Sequence, residues 1–83
     1  MSYEVEFGLA LKKLRLASNF SQIELAALSK IDRTFISLLE RGVRQPSLTT
    51  IIQLASALKI RPSDLIAEVE KEIRRKRWRR IKQ

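Results

Sequence analysis

Residues 21–42 of the 83-residue chain read SQIELAALSKIDRTFISLLERG, and they give the strongest indication of its architecture. It contains two short helical patterns, each preceded by a residue type that favours a helix N-terminus. Ser21 with Glu24 three residues later forms a capping box, and Asp32 is suited to cap the second helix. Gly42 is placed to close that helix in the left-handed conformation. The stretch therefore predicts two capped helices joined by a tight turn.

Helical periodicity extends over the rest of the chain, since apolar residues recur at steps of three and four and no alternating strand pattern is present. The predicted helices span residues 4–17, 22–28, 33–41, 48–58 and a fifth segment that begins at Pro62 and runs into the basic tail. Ser47 is expected to cap the fourth of these. The residues expected to face inward include Leu25, Leu28, Ile36, Leu39, Ile51, Leu54, Ala55 and Leu58. The pattern predicts an all-α, five-helix domain with one core.

The composition disfavours several function classes. The chain has no cysteine and no histidine, which removes thiol nucleophiles, disulfides and the commonest general base and metal ligand. No acid/base pair or phosphate loop is visible, so we expect neither an enzyme nor a cofactor or metal site. No apolar run approaches the roughly 20 residues that span a bilayer. Residues 1–8 carry two glutamates and no basic residue, unlike a secretory signal, so a cytoplasmic protein is expected.

The positive charge is concentrated at one end of the chain. Residues 1–70 contain nine Lys/Arg and eight Asp/Glu, whereas residues 71–83 contain eight Lys/Arg and one acidic residue. We therefore divide the chain into a helix-turn-helix domain over residues 1–70, with its motif at 21–42, and a basic C-terminal extension over residues 71–83. The extension has three interpretations: an arm that contacts phosphates, a solvated end without a role, or a membrane-surface segment.

The second helix of the motif has one apolar and one polar face. Ile36 and Leu39 point to the core, which leaves short polar groups and arginines outside. The expected outward residues are Arg33, Thr34, Ser37 and Arg41, with Phe35 on a flank. A helix that presents such side chains near its N-terminus suits the major groove of DNA.

These residues resemble the lambda-repressor/Cro-type helix-turn-helix family, also called the xenobiotic-response-element family. The matching segments are Leu14-Arg15, Ser21-Gln22-x-Glu24-Leu25-Ala26, Ile31-Asp32-Arg33-Thr34, Ile36-Ser37, Leu39-Glu40-Arg41-Gly42 and Pro46-Ser47-Leu48-Thr49-Thr50. The stretch Asp32 to Ser37 is also similar to controller proteins of restriction–modification systems. The resemblance covers about residues 7–70 and implies a lambda-repressor-like DNA-binding domain.

The resemblance also implies which residues contact DNA. The expected DNA-contacting residues are Gln22, Arg33, Thr34, Phe35, Ser37, Arg41, Arg44, Thr49 and Thr50. Within this set, Gln22 matches a position that binds phosphate and braces the recognition helix, and Arg33 could pair with guanine. Phe35 could equally belong to the core. Arg15 and Arg41 could instead be held by Glu40, and Leu38 departs from a polar position of the repressors.

The implied function is sequence-specific transcriptional regulation, as repressor or activator. One recognition helix reads only a few base pairs, so we expect a homodimer on a palindromic operator of double-stranded DNA. The expected interface residues are Leu65, Ile66 and Val69, and RNA polymerase is a candidate partner. The alternative is a protein-interaction module, antitoxin-like or a coactivator adaptor, for which DNA binding is secondary.

Overall fold

The computed structural model describes the backbone of residues 2–82 and the side chains of residues 2–78. Five helices and no strand occur in this part of the chain. They are α1 (Glu4–Ala17), α2 (Gln22–Ser29), α3 (Arg33–Glu40), α4 (Leu48–Ala57) and α5 (Pro62–Lys82). The all-α, five-helix prediction is confirmed. The predicted ends of α2, α3 and α4 differ from the observed ends by one residue each, because the terminal residue serves as the C-cap or joins the last turn.

A single core lies between the helices. α1 packs against α3 and α5, α2 packs against α3 and α4, and α4 packs against α5. The fully buried large side chains are Leu11, Leu25, Ile36, Leu39, Leu54 and Leu65. Removing one such side chain from water contributes roughly 1.5–3 kcal/mol. These apolar contacts fix how α2 and α3 sit on the remainder of the domain.

Hydrogen bonds and backbone geometry at the helix ends confirm three of the predicted caps. The Ser21 hydroxyl accepts from the Glu24 backbone N–H at 3.0 Å, while the Glu24 carboxylate accepts from the Ser21 N–H at 2.8 Å. Ser47 Oγ accepts from the Thr50 N–H at 3.1 Å. Gly42 has φ +75°, the left-handed conformation expected after α3. The reciprocal bonds at Ser21 fix the entry into the helix-turn-helix motif.

The predicted position of Asp32 at the start of α3 is confirmed, whereas the predicted inward position of Leu28 is wrong. Asp32 occupies the N-cap position of α3, but its side chain makes no capping hydrogen bond. Leu28 is 54% exposed, although its spacing from Leu25 suggested an inward position. The buried face of α2 is a narrow strip through Leu25 and Ser29, four residues apart, and Leu28 falls beside it.

The close approach of α1 to α3 depends on Gly8. A Cβ atom at this position would lie 2.4 Å from the Leu39 carbonyl oxygen and 2.7 Å from that of Glu40. These are backbone atoms, so the helices would have to separate to admit it. Gly8 therefore sets the distance between α1 and the end of α3.

α5 is the longest helix and runs antiparallel to α1. At its start, Asp64 Oδ2 accepts a hydrogen bond from the Arg61 backbone N–H at 2.9 Å, which confirms the start predicted at Pro62. Among the described residues, no helix combines the length and hydropathy needed to cross a membrane. The same residues contain no group of three or more acidic, histidine or cysteine side chains arranged to hold a metal ion.

Candidate nucleic-acid interface

α3 presents its polar N-terminal residues to solvent. Arg33 and Thr34 are exposed, and Ser37 one turn further is half-buried. On the opposite face, Ile36 and Leu39 have no exposed surface, so the orientation of the helix about its axis is fixed by the core. The structure thus brings the three predicted base-contacting residues onto one accessible face.

A buried ion pair holds the C-terminal end of α3. Arg15 Nε donates to Glu40 Oε2 at 2.6 Å, and Arg15 Nη2 donates to Glu40 Oε1 at 3.0 Å. The Arg15 and Glu40 side chains retain only 9% and 3% of their exposure. The hydrogen bonds to Glu40 raise the pKa of Arg15 against the opposing effect of burial. This bidentate pair fixes α1 to α3 with defined geometry.

The same carboxylate also fixes α2. Gln22 Nε2 donates to Glu40 Oε1 at 3.0 Å, while Arg15 Nη1 donates to the Phe20 carbonyl at 2.8 Å. Glu40 therefore joins three helices at one point. Gln22 is engaged as a brace of the recognition helix, and its phosphate contact remains a prediction.

The ion pair decides between the alternatives left open for Arg15. Since Arg15 is 7% exposed and bonded to Glu40, it is a structural residue.

Arg41 is exposed and makes no ion pair among the described side chains, so its predicted DNA contact is not obstructed. Phe35 is half-buried against the core, which leaves only its outer edge for DNA. The sequence suggested that Glu40 could pair with a neighbouring arginine. It did not indicate that Arg15 also donates to the Phe20 carbonyl.

A second group of predicted contacts lies beyond α3, in the loop at residues 43–47 and the start of α4. Arg44 and Thr49 are exposed. Thr50 is less available, because its N–H is bonded to Ser47 and its hydroxyl accepts from Ser47 Oγ at 3.0 Å. The Thr50 hydroxyl proton remains for a phosphate oxygen, whereas its amide does not. A phosphate contact at this helix end would thus depend mainly on Thr49.

The structure corrects the predicted dimer residues. Leu65 has no exposed surface and Val69 only 8%, because both complete the core of the monomer. The prediction that Leu65 contacts a partner is therefore wrong, and Val69 has little surface to contribute. Ile66 is 43% exposed and could meet a second chain.

Ile66 borders an apolar groove of about 270 Å³. The groove is lined by Ser2, Tyr3, Phe7, Gln45, Pro46, Ile51, Ile66, Val69 and Ile73. Three chain segments distant in sequence meet there, so no local pattern could have indicated it.

Comparison with known proteins identifies the family. The model of the helix-turn-helix family matches residues 11–65. The control protein C.MunI of a Mycoplasma species is 39% identical over 70 residues, which covers 83% of this chain and 95% of that protein. The crystal structure of the restriction–modification controller protein C.AhdI from Aeromonas hydrophila is similar with a TM-score of 0.73 and 47% identity, covering 75% of this chain and 94% of that one.

A further similar structure contains DNA. It is the restriction–modification controller protein C.Esp1396I, a tetramer in complex with its natural 35-base-pair operator. The TM-score is 0.80 at 27% identity, and the match covers 88% of this chain and 96% of that one. The fold, the motif and these relatives agree, and the chain belongs to the helix-turn-helix family, among the relatives of the restriction–modification controller proteins.

Proposed function

We propose that this chain is a sequence-specific DNA-binding transcriptional regulator, a restriction–modification controller that acts as a dimer on a palindromic operator. The observation that carries the proposal is the exposed face of Arg33, Thr34 and Ser37 on a helix held rigid from behind. The ion pair of Arg15 with Glu40 and the packed residues of the opposite face hold that helix in place. We place its action in the cytoplasm.

Residues in the first turns of α3 would contact the bases. Arg33 is exposed and could donate two hydrogen bonds to one guanine, a contact that contributes roughly 1–3 kcal/mol of discrimination. Thr34 and Ser37 offer hydroxyls to neighbouring base edges. Gln22, Arg44 and Thr49 would bind phosphates on either side, which sets the register but carries no sequence information.

The dimer follows from the size of the recognition surface. α3 has eight residues and reaches only a few base pairs, so two copies about 34 Å apart are needed to read an operator. The apolar groove and Ile66 would form the two-fold contact. The tetramer of C.Esp1396I on its operator supports this manner of assembly. By occupying its site, the dimer would block or recruit RNA polymerase without chemistry of its own.

Selection of bound sequences from random DNA duplexes tests the proposal, and a palindrome is the expected result. Arg33→Ala should then weaken binding to the selected operator by about 10- to 100-fold, while binding to random duplex changes much less. Lys59→Ala is the matched control, since Lys59 is an exposed cation at the opposite end of α4 from Thr49. Unchanged operator binding by Arg33→Ala would refute the assignment of α3.

Sedimentation tests the oligomeric state separately. Wild-type protein should form a dimer at tens of micromolar, and Ile66→Glu should shift it to the monomer with its helical content retained. A monomer bound to DNA in a single copy would contradict the dimer. A copurifying protein, with no DNA binding at moderate salt, would favour the interaction-module alternative.

A further inference from the structure

We propose that the C-terminal turns of α5, residues 71–82, form a second DNA-binding surface that grips the phosphate backbone through Arg74 and Arg77. We name these turns the basic arm. The inference rests on the proposed function, because it adds a backbone contact to the base-reading contacts of α3. Contacts of the arm with phosphates would increase the affinity for DNA without contributing to sequence specificity.

The basic arm is a helical continuation of α5 along and past α1. Lys13 Nζ lies 3.2 Å from Glu68 Oε1, and Lys76 Nζ lies 3.1 Å from Glu6 Oε2, so the two helices run antiparallel. α1 begins at Glu4, whereas α5 continues to Lys82. At 1.5 Å per residue, the six residues after Lys76 extend the helix by roughly 9 Å. The arm therefore projects beyond the body of the domain.

The charges of the arm are neutralised on one flank only. Lys71 pairs with Glu68, Arg75 with Glu72, and Lys76 with a glutamate of α1. Arg74 and Arg77 are exposed, and no ion pair joins either of them to another described side chain. The sequence after Glu72 contains seven basic residues and no acidic one. Among the described side chains, Arg74 and Arg77 therefore have no ion-pair partner, and Glu70 is the acidic residue that lies near them.

This unpaired flank adjoins the apolar groove. Arg74 and Arg77 line a shallow depression of about 220 Å³ together with Glu70, Tyr3 and Ile73. Tyr3 and Ile73 also line the apolar groove, whose far wall is Gln45 and Pro46 of the loop after α3. That loop carries Arg44, a predicted phosphate contact. Arg74 and Arg77 therefore lie beside the groove without lining it, so a partner chain seated in the groove would have these arginines at its edge.

The chemistry of the arm fits phosphates better than a lipid surface. Like charges at three- and four-residue spacing destabilise a helix by a few tenths of a kcal/mol per pair, and a polyanion relieves this repulsion. Insertion into a membrane needs an apolar face. Ile73 is packed against the core, which leaves Trp78, 58% exposed, as the main apolar side chain among the described residues of the arm. Duplex DNA, already the ligand of the motif, is the partner that this surface fits.

The test compares two variants that each remove two positive charges. Arg74→Gln/Arg77→Gln removes the unpaired arginines, and Lys12→Gln/Lys59→Gln is the control, since both lysines are exposed and lie outside the arm and outside the predicted DNA-contacting residues. Binding of each protein to the selected operator and to a random duplex is measured from low to moderate salt. A matching cosedimentation series uses vesicles containing phosphatidylserine.

The arginine variant should bind both duplexes more weakly by the same factor, about 10-fold at moderate salt. The plot of log affinity against log salt should become shallower by about 1.8, or 0.9 for each phosphate that the variant no longer binds. The control should keep the wild-type slope. If Arg33→Ala abolishes operator preference but the arginine variant keeps the wild-type slope, the arm proposal is overturned and the proposed function stands. Vesicle binding that exceeds DNA binding at equal salt, and is abolished in the arginine variant, overturns the proposal in favour of a lipid surface.

Discussion

The helix-turn-helix motif and the basic arm of α5 are stabilised by different kinds of polar contact. In the motif, the hydrogen bonds of Glu40 reach Arg15 and Gln22, which are 25 and 18 residues away, and the ion pair is buried. Along the arm, two of the three ion pairs join residues one turn apart and their cations are half exposed. The first kind fixes three helices relative to one another at a buried point, whereas, among the described ion pairs of the arm, only that of Lys76 with Glu6 reaches another helix.

This difference matches what each region is proposed to do. Reading bases requires side chains held at defined positions, because a bidentate hydrogen bond tolerates little displacement. Attraction to a phosphate backbone acts over about a Debye length and tolerates movement. The comparison therefore predicts that damage to the Glu40 contacts changes stability and specificity, whereas damage to the arm changes affinity alone.

The largest expected effect is loss of the buried ion pair. Glu40→Ala leaves the Arg15 guanidinium buried without its counter-charge and removes the acceptor of Gln22, so unfolding free energy should fall by about 3 kcal/mol. Urea denaturation followed by circular dichroism measures it. Arg15→Met/Glu40→Leu is the control, since it removes both charges and should lose less than the sum of the losses in Arg15→Met and Glu40→Leu measured singly. Additive losses would show that the pair does not act as a unit.

Gly8→Ala should have the next largest effect, because Gly8 lies where α1 packs closely against the recognition helix α3. Alanine normally stabilises a helix relative to glycine by about 1 kcal/mol. Here the new Cβ atom would meet the Leu39 and Glu40 carbonyls, so a net loss of about 1–3 kcal/mol is expected. Thermal unfolding measures the effect, and Ser56→Ala on an exposed helical position of α4 is the control. A stabilised Gly8→Ala protein would show that α1 and α3 separate at no cost.

The sequence alone predicted local structure better than contacts between distant segments. The capping box at Ser21 and the left-handed Gly42 follow from residue types at fixed spacing, and both are confirmed. Leu65 was misplaced because periodicity marks a helix face as apolar without saying whether a neighbouring helix or a second chain covers it. The groove beside Ile66 was not foreseeable for the same reason, since Tyr3, Pro46 and Ile73 meet only in the folded chain.

The two N-caps of the motif offer a smaller test. Ser21→Ala removes the hydroxyl that accepts from the Glu24 backbone N–H and should cost about 1 kcal/mol of stability. Asp32→Ala should cost only a few tenths, because the Asp32 side chain makes no capping bond. Urea denaturation of the two variants in parallel compares them directly. Equal losses would mean that Asp32 caps α3 in solution and that its side chain helps to hold the start of the recognition helix.

The smallest expected effect concerns the root of the arm and depends on pH. The hydrogen bond from Lys71 lowers the pKa of Glu68, against burial and with a further contribution from Lys13. A carboxyl whose pKa is lowered by folding stabilises the protein fully above its ordinary value of 4.5, and this stabilisation is lost as the pH falls through the folded-state pKa. Glu68→Gln should therefore unfold at a lower temperature than wild type at pH 6, and the difference in melting temperature should shrink as the pH is lowered below 4.5. A difference that stayed constant across this range would mean that the carboxylate charge does not hold the arm to α1, and the arm would then be fixed by Ile73 and its apolar neighbours.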